Sequence, residues 1–324
     1  MDNNLKKAPQ ANQRIATQDL TDDEIDLYAF FLILWKSKIL IMVITACFTV
    51  AGVAFALYQP NIYQSQALLA PAEQGQSGGL GALSGQFGGL ASLAGVNLGA
   101  GGEIDKTQLA LEVLNSRKFI SYFIQQHRVL PELMAAKTWE RETNTLTYDE
   151  EIYLPSEKKW VREVEPPFKP EPSMQEAYKK FKEIVATTSD KDTGMVTLSV
   201  EHLSPHVAKQ WVDWLIADIN QTMKERDVLE ADKSIKYLSE QIEQTKIADI
   251  RAVLYGLVEE QAKTIMFANV RTEYVFKTID PAIASEEKYK PKRALIAVLG
   301  LLLGIMFGVV VVLTRNFLRN THKV

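Results

Sequence analysis

The chain has 324 residues, one cysteine and a net charge of −4, with 47% hydrophobic and 23% charged residues. Those averages conceal two uncharged runs of 20 residues, Ile39–Tyr58 and Ala294–Leu313. Each is long enough to cross a hydrocarbon core of roughly 30 Å as a helix. A soluble cytoplasmic enzyme is thereby excluded, as is a disulfide-stapled secreted domain, since Cys47 lies inside the first run without a partner. The mild acidity gives no support to nucleic-acid binding.

The runs divide the chain into an N-terminal tail (1–38), a first span (39–58), a loop (59–293), a second span (294–313) and a C-terminal tail (314–324). An even number of spans puts both tails on one side. Lys36, Lys38, Arg315, Arg319 and Lys323 favour cytoplasmic tails, while Lys288, Lys290, Lys292 and Arg293 argue the other way. A loop this long translocates largely regardless of charge, so the tails decide and the loop is expected to be extracytoplasmic. A signal peptide would explain the first run and Ala54-Phe55-Ala56, but the 38-residue acidic tail before it is no short basic leader.

Residues 1–18 read as a polar tail without order. Thr21-Asp22-Asp23-Glu24 has capping-box spacing and predicts a helix over Glu24–Lys36 that lies at the interface or extends the first span. A strand is expected at Asn61–Leu69. Gly75–Gly102 then holds 11 of the 17 glycines and lacks the Gly-Lys-Ser/Thr ending of a phosphate loop, so it reads as a mobile or oligomer-facing loop. Asp105–Leu133 reads as helical, Glu163–Ser173 with four of the twelve prolines as a linker, and Gln175–Val185 as a short helix. Thr193–Glu201 reads as a strand, with Met195, Leu198 and Val200 as its apolar positions, entered by a turn at Asp192–Gly194.

Ser204-Pro205 is a strong helix start, and no further proline occurs until Pro281. Apolar positions step along Val207, Trp211, Leu215, Ile219 and Met223 and resume at Ile235, Leu238, Ile242, Ile250, Leu254, Leu257 and Ile265. A continuous helix over about 205–275, interrupted only by Gly256, would be about 105 Å long. One small domain cannot bury so long a stripe, so Trp211, Leu215, Ile219, Leu238, Ile242 and Leu254 are expected to pack against copies of the chain or other helices. Val270–Ile279 returns as a strand toward the second span. Within that span Gly300, Gly304 and Gly308 form a doubled G-x-x-x-G on one face, with Gly52 and Ala56 as a weaker counterpart in the first. Glycine at this spacing lets another backbone approach closely, which drives helix association in lipid.

Catalytic and metal signatures are missing. His202 and His206 follow Glu201, but the helix start lies between them, so they do not share a helix face. No nucleophile elbow, dinucleotide fingerprint or His-Glu-x-x-His occurs. No cofactor is expected. Trp139, Trp160, Trp211 and Trp214 offer faces for sugar rings, though Trp211 and Trp214 fit better as packing in the helix base.

Several segments together resemble the polysaccharide co-polymerases, the Wzz-type chain-length determinants. They are Ile25-Asp26-Leu27, Leu114-Asn115-Ser116-Arg117-Lys118-Phe119, and Asp192 to His202 followed by Ser204-Pro205 and Ala208. Glu273-Tyr274-Val275-Phe276-Lys277, Asp280-Pro281-Ala282 and Pro291-Lys292-Arg293-Ala294 complete the set, so the resemblance spans about residues 22–316. The family's proline-rich segment is thinned here to Pro281 and Pro291, with Ala284 and Ser285 where a proline is expected. The resemblance implies an α+β membrane protein of the bacterial inner membrane. Two transmembrane helices flank a periplasmic α/β base domain with a very long helix. It implies a homo-oligomer without catalytic residues that sets the length of O-antigen, or of another glycan such as enterobacterial common antigen or capsule. The implied partners are a separate polymerase and its lipid-linked polysaccharide. Related capsule-export kinases add a Walker-type domain and a tyrosine-rich tail; the chain ends at Val324 with neither, so the kinase reading is not expected to hold unless another chain supplies that domain.

Overall fold

A computed structural model describes residues 34–72 and 106–321. The expected 75–102 loop, the 1–18 tail, Ile25-Asp26-Leu27 and all but the last turn of the Glu24–Lys36 helix lie outside the described residues. The chain divides into two compact units, residues 1–58 with 293–324, and residues 59–292.

The first unit is a pair of helices, α1 (Lys38–Tyr58) and α8 (Arg293–Thr321). Both are long and apolar enough to cross a membrane. Apart from their mutual contact they stay open: Leu57, Val298 and Met306 are each more than half exposed. A continuous apolar surface of that extent needs a nonaqueous cover.

The second unit is built on a four-stranded antiparallel sheet of β1 (Tyr63–Pro71), β6 (Val185–Ser189), β7 (Val196–His202) and β8 (Phe276–Asp280). The strand order is β6-β7-β1-β8. The register pairs Tyr63 with His202, Ser65 with Val200, Ala67 with Leu198 and Leu69 with Val196. All eight residues are buried, because alternate side chains share one face of a strand. The inward set on β7 thus starts at Val196; Met195, expected to begin it, falls on the other parity and precedes the strand.

Between β1 and β6 lie α2 (Lys106–Leu114), α3 (Arg117–His127), α4 (Leu130–Met134), a β2/β3 hairpin (Ala136–Glu140, Thr145–Tyr148), a short β4/β5 pair (Tyr153–Leu154, Lys159–Trp160) and α5 (Met174–Ile184). The helical stretch expected over Asp105–Leu133 is made of three helices. Ser116 starts α3 by accepting a hydrogen bond from the Phe119 amide, and Arg128 ends it in the left-handed region at φ 56°. α5 opens on a reciprocal Ser173/Glu176 capping box. Phe123, Phe181 and Trp211 form the aromatic centre of the core, with centroids 5.6–6.2 Å apart.

Two helices lie between β7 and β8: α6 (Pro205–Gln244) and α7 (Ala248–Val270). Ser204 caps α6, accepting from the Val207 amide, with Pro205 in its first turn. The helix expected to run unbroken over about 205–275 is two helices. α6 alone is long, at 40 residues and about 60 Å. It stops at Gln244, Thr245 and Ile247 take extended backbone, and α7 runs back along α6. The Arg251 side chain donates to the Thr245 carbonyl and holds the turn. Neither a proline nor a glycine marks that turn, and Gly256 sits inside α7 without breaking it.

Candidate functional site

Three places carry the arrangements a functional reading must use: the apolar helix pair, the root of the helical hairpin, and the segment joining β8 to α8.

The helix pair is a backbone-to-backbone contact. A methyl group placed at Gly304 would stand 2.8 Å from Thr45 Cα and 3.1 Å from Phe48 Cβ. At Gly308 it would meet Ile41 Cγ2 at 3.2 Å, at Gly300 the Phe48 carbonyl at 3.3 Å, and at Gly52 the Ile296 carbonyl at 3.7 Å. Contacts therefore step in opposite directions along the two helices, in one stripe completed by Val312, which is buried. Phe48 and Phe307 flank it at 5.4 Å, and Arg293 Nε donates to the Ala56 carbonyl. The glycine face thus meets α1 of the same chain.

The hairpin root is tied by Asn220, which is buried. Its Oδ1 accepts from the amides of Val275 and Phe276 at 2.8 and 2.9 Å. Its Nδ2 donates to the carbonyls of Ile216 and Phe276. The chain leaving α7 is thereby fixed to α6 as it enters β8. Tyr274 adds a hydroxyl donated to Asp227 at 2.6 Å. Sequence reasoning missed Asn220; the signal was a polar residue on the apolar face that also carries Ile216, Ile219 and Met223.

The chain itself covers the six residues expected to face copies. Trp211, Leu215 and Ile219 are fully buried under the sheet. Ile242 is buried, and Leu238 and Leu254 half-buried, where α6 and α7 run together. What the hairpin leaves open is a different set: Leu229, Tyr237, Ile247, Val253, Tyr255 and Met266, each 47% exposed or more.

The segment from β8 to α8 straps back to the sheet. Ser65 donates to the Ile283 carbonyl, and Ile62 bridges Lys290 through backbone hydrogen bonds. Lys290 Nζ also reaches both Glu201 oxygens, at 2.6 and 2.9 Å. Pro281 is exposed, Pro291 is buried and follows a cis bond from Lys290, and Lys292 is exposed.

The titratable groups of the base are in structural settings. His202 Nδ1 accepts from the Ser204 amide and its Nε2 faces the Glu132 carbonyl at 3.2 Å, so the ring is neutral with the proton on Nε2. Burial pulls its pKa below the usual histidine value. Glu132 is raised by burial, against the opposing pull of the Trp211 indole N–H donated to it at 3.1 Å. His127 bonds Asp218 at 2.8 Å and stacks on Trp214 at 4.2 Å. Among the described residues no three His, Cys, Asp or Glu side chains are grouped to hold a metal ion. His206 is exposed, on the first turn of α6, and His202 is buried in β7.

Residues 23–127 match the Wzz family, described as chain length determinant protein. That segment is of the Wzz type. Residues 247–317, from the hairpin turn through most of α8, match a second family, GNVR, described as "G-rich domain on putative tyrosine kinase". No curated protein matches the sequence. Two solved structures are similar to this chain. A full-length bacterial polysaccharide co-polymerase is 14% identical, with a TM-score of 0.37, over 92% of this chain and 99% of that one. A fragment of WzzB, the polysaccharide co-polymerase from Salmonella Typhimurium, is 13% identical, with a TM-score of 0.26, over 71% of this chain and all of that one.

Proposed function

We propose that this chain is a non-catalytic, oligomeric regulator of lipopolysaccharide O-antigen length, working with a separate polymerase on lipid-linked polysaccharide. In this reading it sits in the bacterial inner membrane with α1 and α8 as its spans. Both tails are cytoplasmic and residues 59–293 are periplasmic. The observation that carries the reading is the Wzz match over residues 23–127. The paired apolar helices and the open apolar residues of the hairpin support it. They supply, respectively, an anchor and a surface that a second copy covers.

A second reading is favoured by the GNVR match over residues 247–317. Here the same architecture serves another exported glycan, such as capsule or enterobacterial common antigen, or forms the membrane half of a capsule-export system.

Deletion and restoration of the gene separates the two. Loss of a modal cluster of bands on a lipopolysaccharide gel, and its return on complementation, is the expected result. An unchanged lipopolysaccharide ladder with an altered capsule or common-antigen profile supports the second reading. No change in any surface glycan contradicts both.

A further inference from the structure

A cavity of about 290 Å³ opens on the base between the start of β1, the β2/β3 hairpin, the first turn of α6 and the strap that follows β8. Tyr63, Trp139, Arg141, His206, Ser285 and Glu286 line it. Three of its lining residues form a ring cluster: Trp139 stands edge-on to Tyr63 at 5.3 Å and lies 6.2 Å from the His206 ring. The Trp139 indole N–H is donated to Asn144 Oδ1 at 2.9 Å, which fixes the ring against the hairpin. Its polar lining is uncommitted. Among the described residues the Tyr63 hydroxyl, Arg141, His206 and Glu286 make no hydrogen bond or ion pair. Arg141 and Glu286 line one cavity with opposite charges and yet do not pair.

These features select a ligand class. An apolar ligand would strip water from Arg141 and Glu286 and give nothing back. A simple anion would face Glu286, and a simple cation Arg141. A polyol ring answers every element at once, since its hydroxyls both donate to a carboxylate and accept from a guanidinium, and its C–H face lies on an indole. The volume is near the lower end of small-ligand sites, about 300 Å³, which suits a short saccharide segment rather than a long one. Ala284 and Ser285 carry no bulk into this space, where a ring at either position would narrow it.

We infer that this cavity is a saccharide subsite that holds one segment of the glycan whose length the chain sets. The inference rests on the glycan-length reading for the identity of the sugar and on the cavity for the site. Trp139 would be the stacking platform, with Arg141 and Glu286 holding hydroxyls.

The test uses full-length protein in nanodiscs. The probe is repeat-unit oligosaccharide released by mild acid from the host's own surface polysaccharide, titrated by calorimetry. Wild type should bind saturably. Trp139→Ala should weaken binding at least tenfold, Trp139→Phe less, and Arg141→Ala or Glu286→Gln several-fold each. Tyr122→Ala, on exposed α3 surface, should bind as wild type does. Because Trp139→Ala removes part of the β2/β3 hairpin packing, the Arg141 and Glu286 variants keep the test independent of folding. Absence of saturable binding by wild type overturns the inference, and so do Arg141 and Glu286 variants that bind as tightly as wild type. If gene deletion changes glycan length while either of those results holds, the subsite falls and the regulator reading stands. If deletion changes no glycan, the regulator reading falls whatever the titration shows.

Discussion

The α1/α8 pair and the α6/α7 hairpin are both antiparallel helix pairs, yet they close by different means. In α1/α8 the contact is glycine against backbone: a single added carbon at Gly304 would lie 2.8 Å from Thr45 Cα. In α6/α7 the contact is made by side chains such as Ile242 and Ala268, and a buried asparagine locks the root. A methyl group at Gly256, in the middle of α7, would meet nothing within 4 Å. The difference follows from solvent. Lipid gives apolar side chains no reason to leave it, so close backbone packing holds the pair. Water rewards burial of apolar area, so the hairpin is held by side chains and its remaining open apolar residues are a standing drive to associate.

The comparison breaks first at Gly304. Gly304→Leu forces the helices apart at backbone contact and should destabilise the pair by about 3 kcal/mol or more. The solubilised protein should lose its wild-type oligomer size, and the host its modal glycan length. Normal size and normal length together would refute the packing role. Asn220→Ala comes next. It leaves the Val275 and Phe276 amides unpaired in the core, at about 1–3 kcal/mol for each group left unsatisfied. A fall in melting temperature of several degrees, followed by circular dichroism, is expected. An unchanged melt would show that the hairpin root is held by other contacts.

A smaller effect should appear with pH in the base alone. Burial lowers the pKa of His202 below its unfolded value of about 6.5. Below that pH the unfolded chain binds more protons than the folded one, so stability falls as pH drops through it. Glu132, raised by burial, acts in the opposite sense: its protonated form is favoured in the fold, and stability declines as pH rises from about 4.5 toward its folded value. Melts at pH 7.5 and 5.5 should therefore differ in wild type, with a smaller difference in His202→Gln. An equal difference in both would remove His202 as the cause. The smallest effect sharpens the contrast. Gly256→Ala should stabilise α7 by roughly 0.5–1 kcal/mol, because alanine is the better helix former and the space is open. Loss of stability there would mean that Gly256 faces a neighbour absent from a single chain.

Local signals carried much of the architecture. Two uncharged 20-residue runs each mark a helix by their own length, whereas Ser204-Pro205 before a helix and Asp192–Gly194 before a strand act within a few residues, and each element appears where its signal stands. The spacing of Gly300, Gly304 and Gly308 identified one helix face, but only the structure places Thr45 and Phe48 opposite it. The turn at Thr245–Ile247 was illegible because it is made by ordinary residues. Fold-back is favoured by contacts between α6 and α7 that are remote in sequence. That one turn changes the meaning of Trp211, Leu215 and Ile219, which serve the chain's own core, and moves the open apolar surface to Leu229, Tyr237 and Tyr255. The cavity around Trp139 was half legible: the tryptophan stood out as a sugar platform, whereas Tyr63, Arg141 and Glu286 come from segments far apart in sequence and meet only in the fold.

Self-association is central to the proposed regulator, because the apolar residues left open on the hairpin need a second copy to cover them. The most direct measurement is the native mass of the full-length protein in nanodiscs across a wide concentration range. A single defined oligomer, dissociated by Tyr237→Glu together with Tyr255→Glu, is the predicted result. A monomer at every concentration would contradict the account.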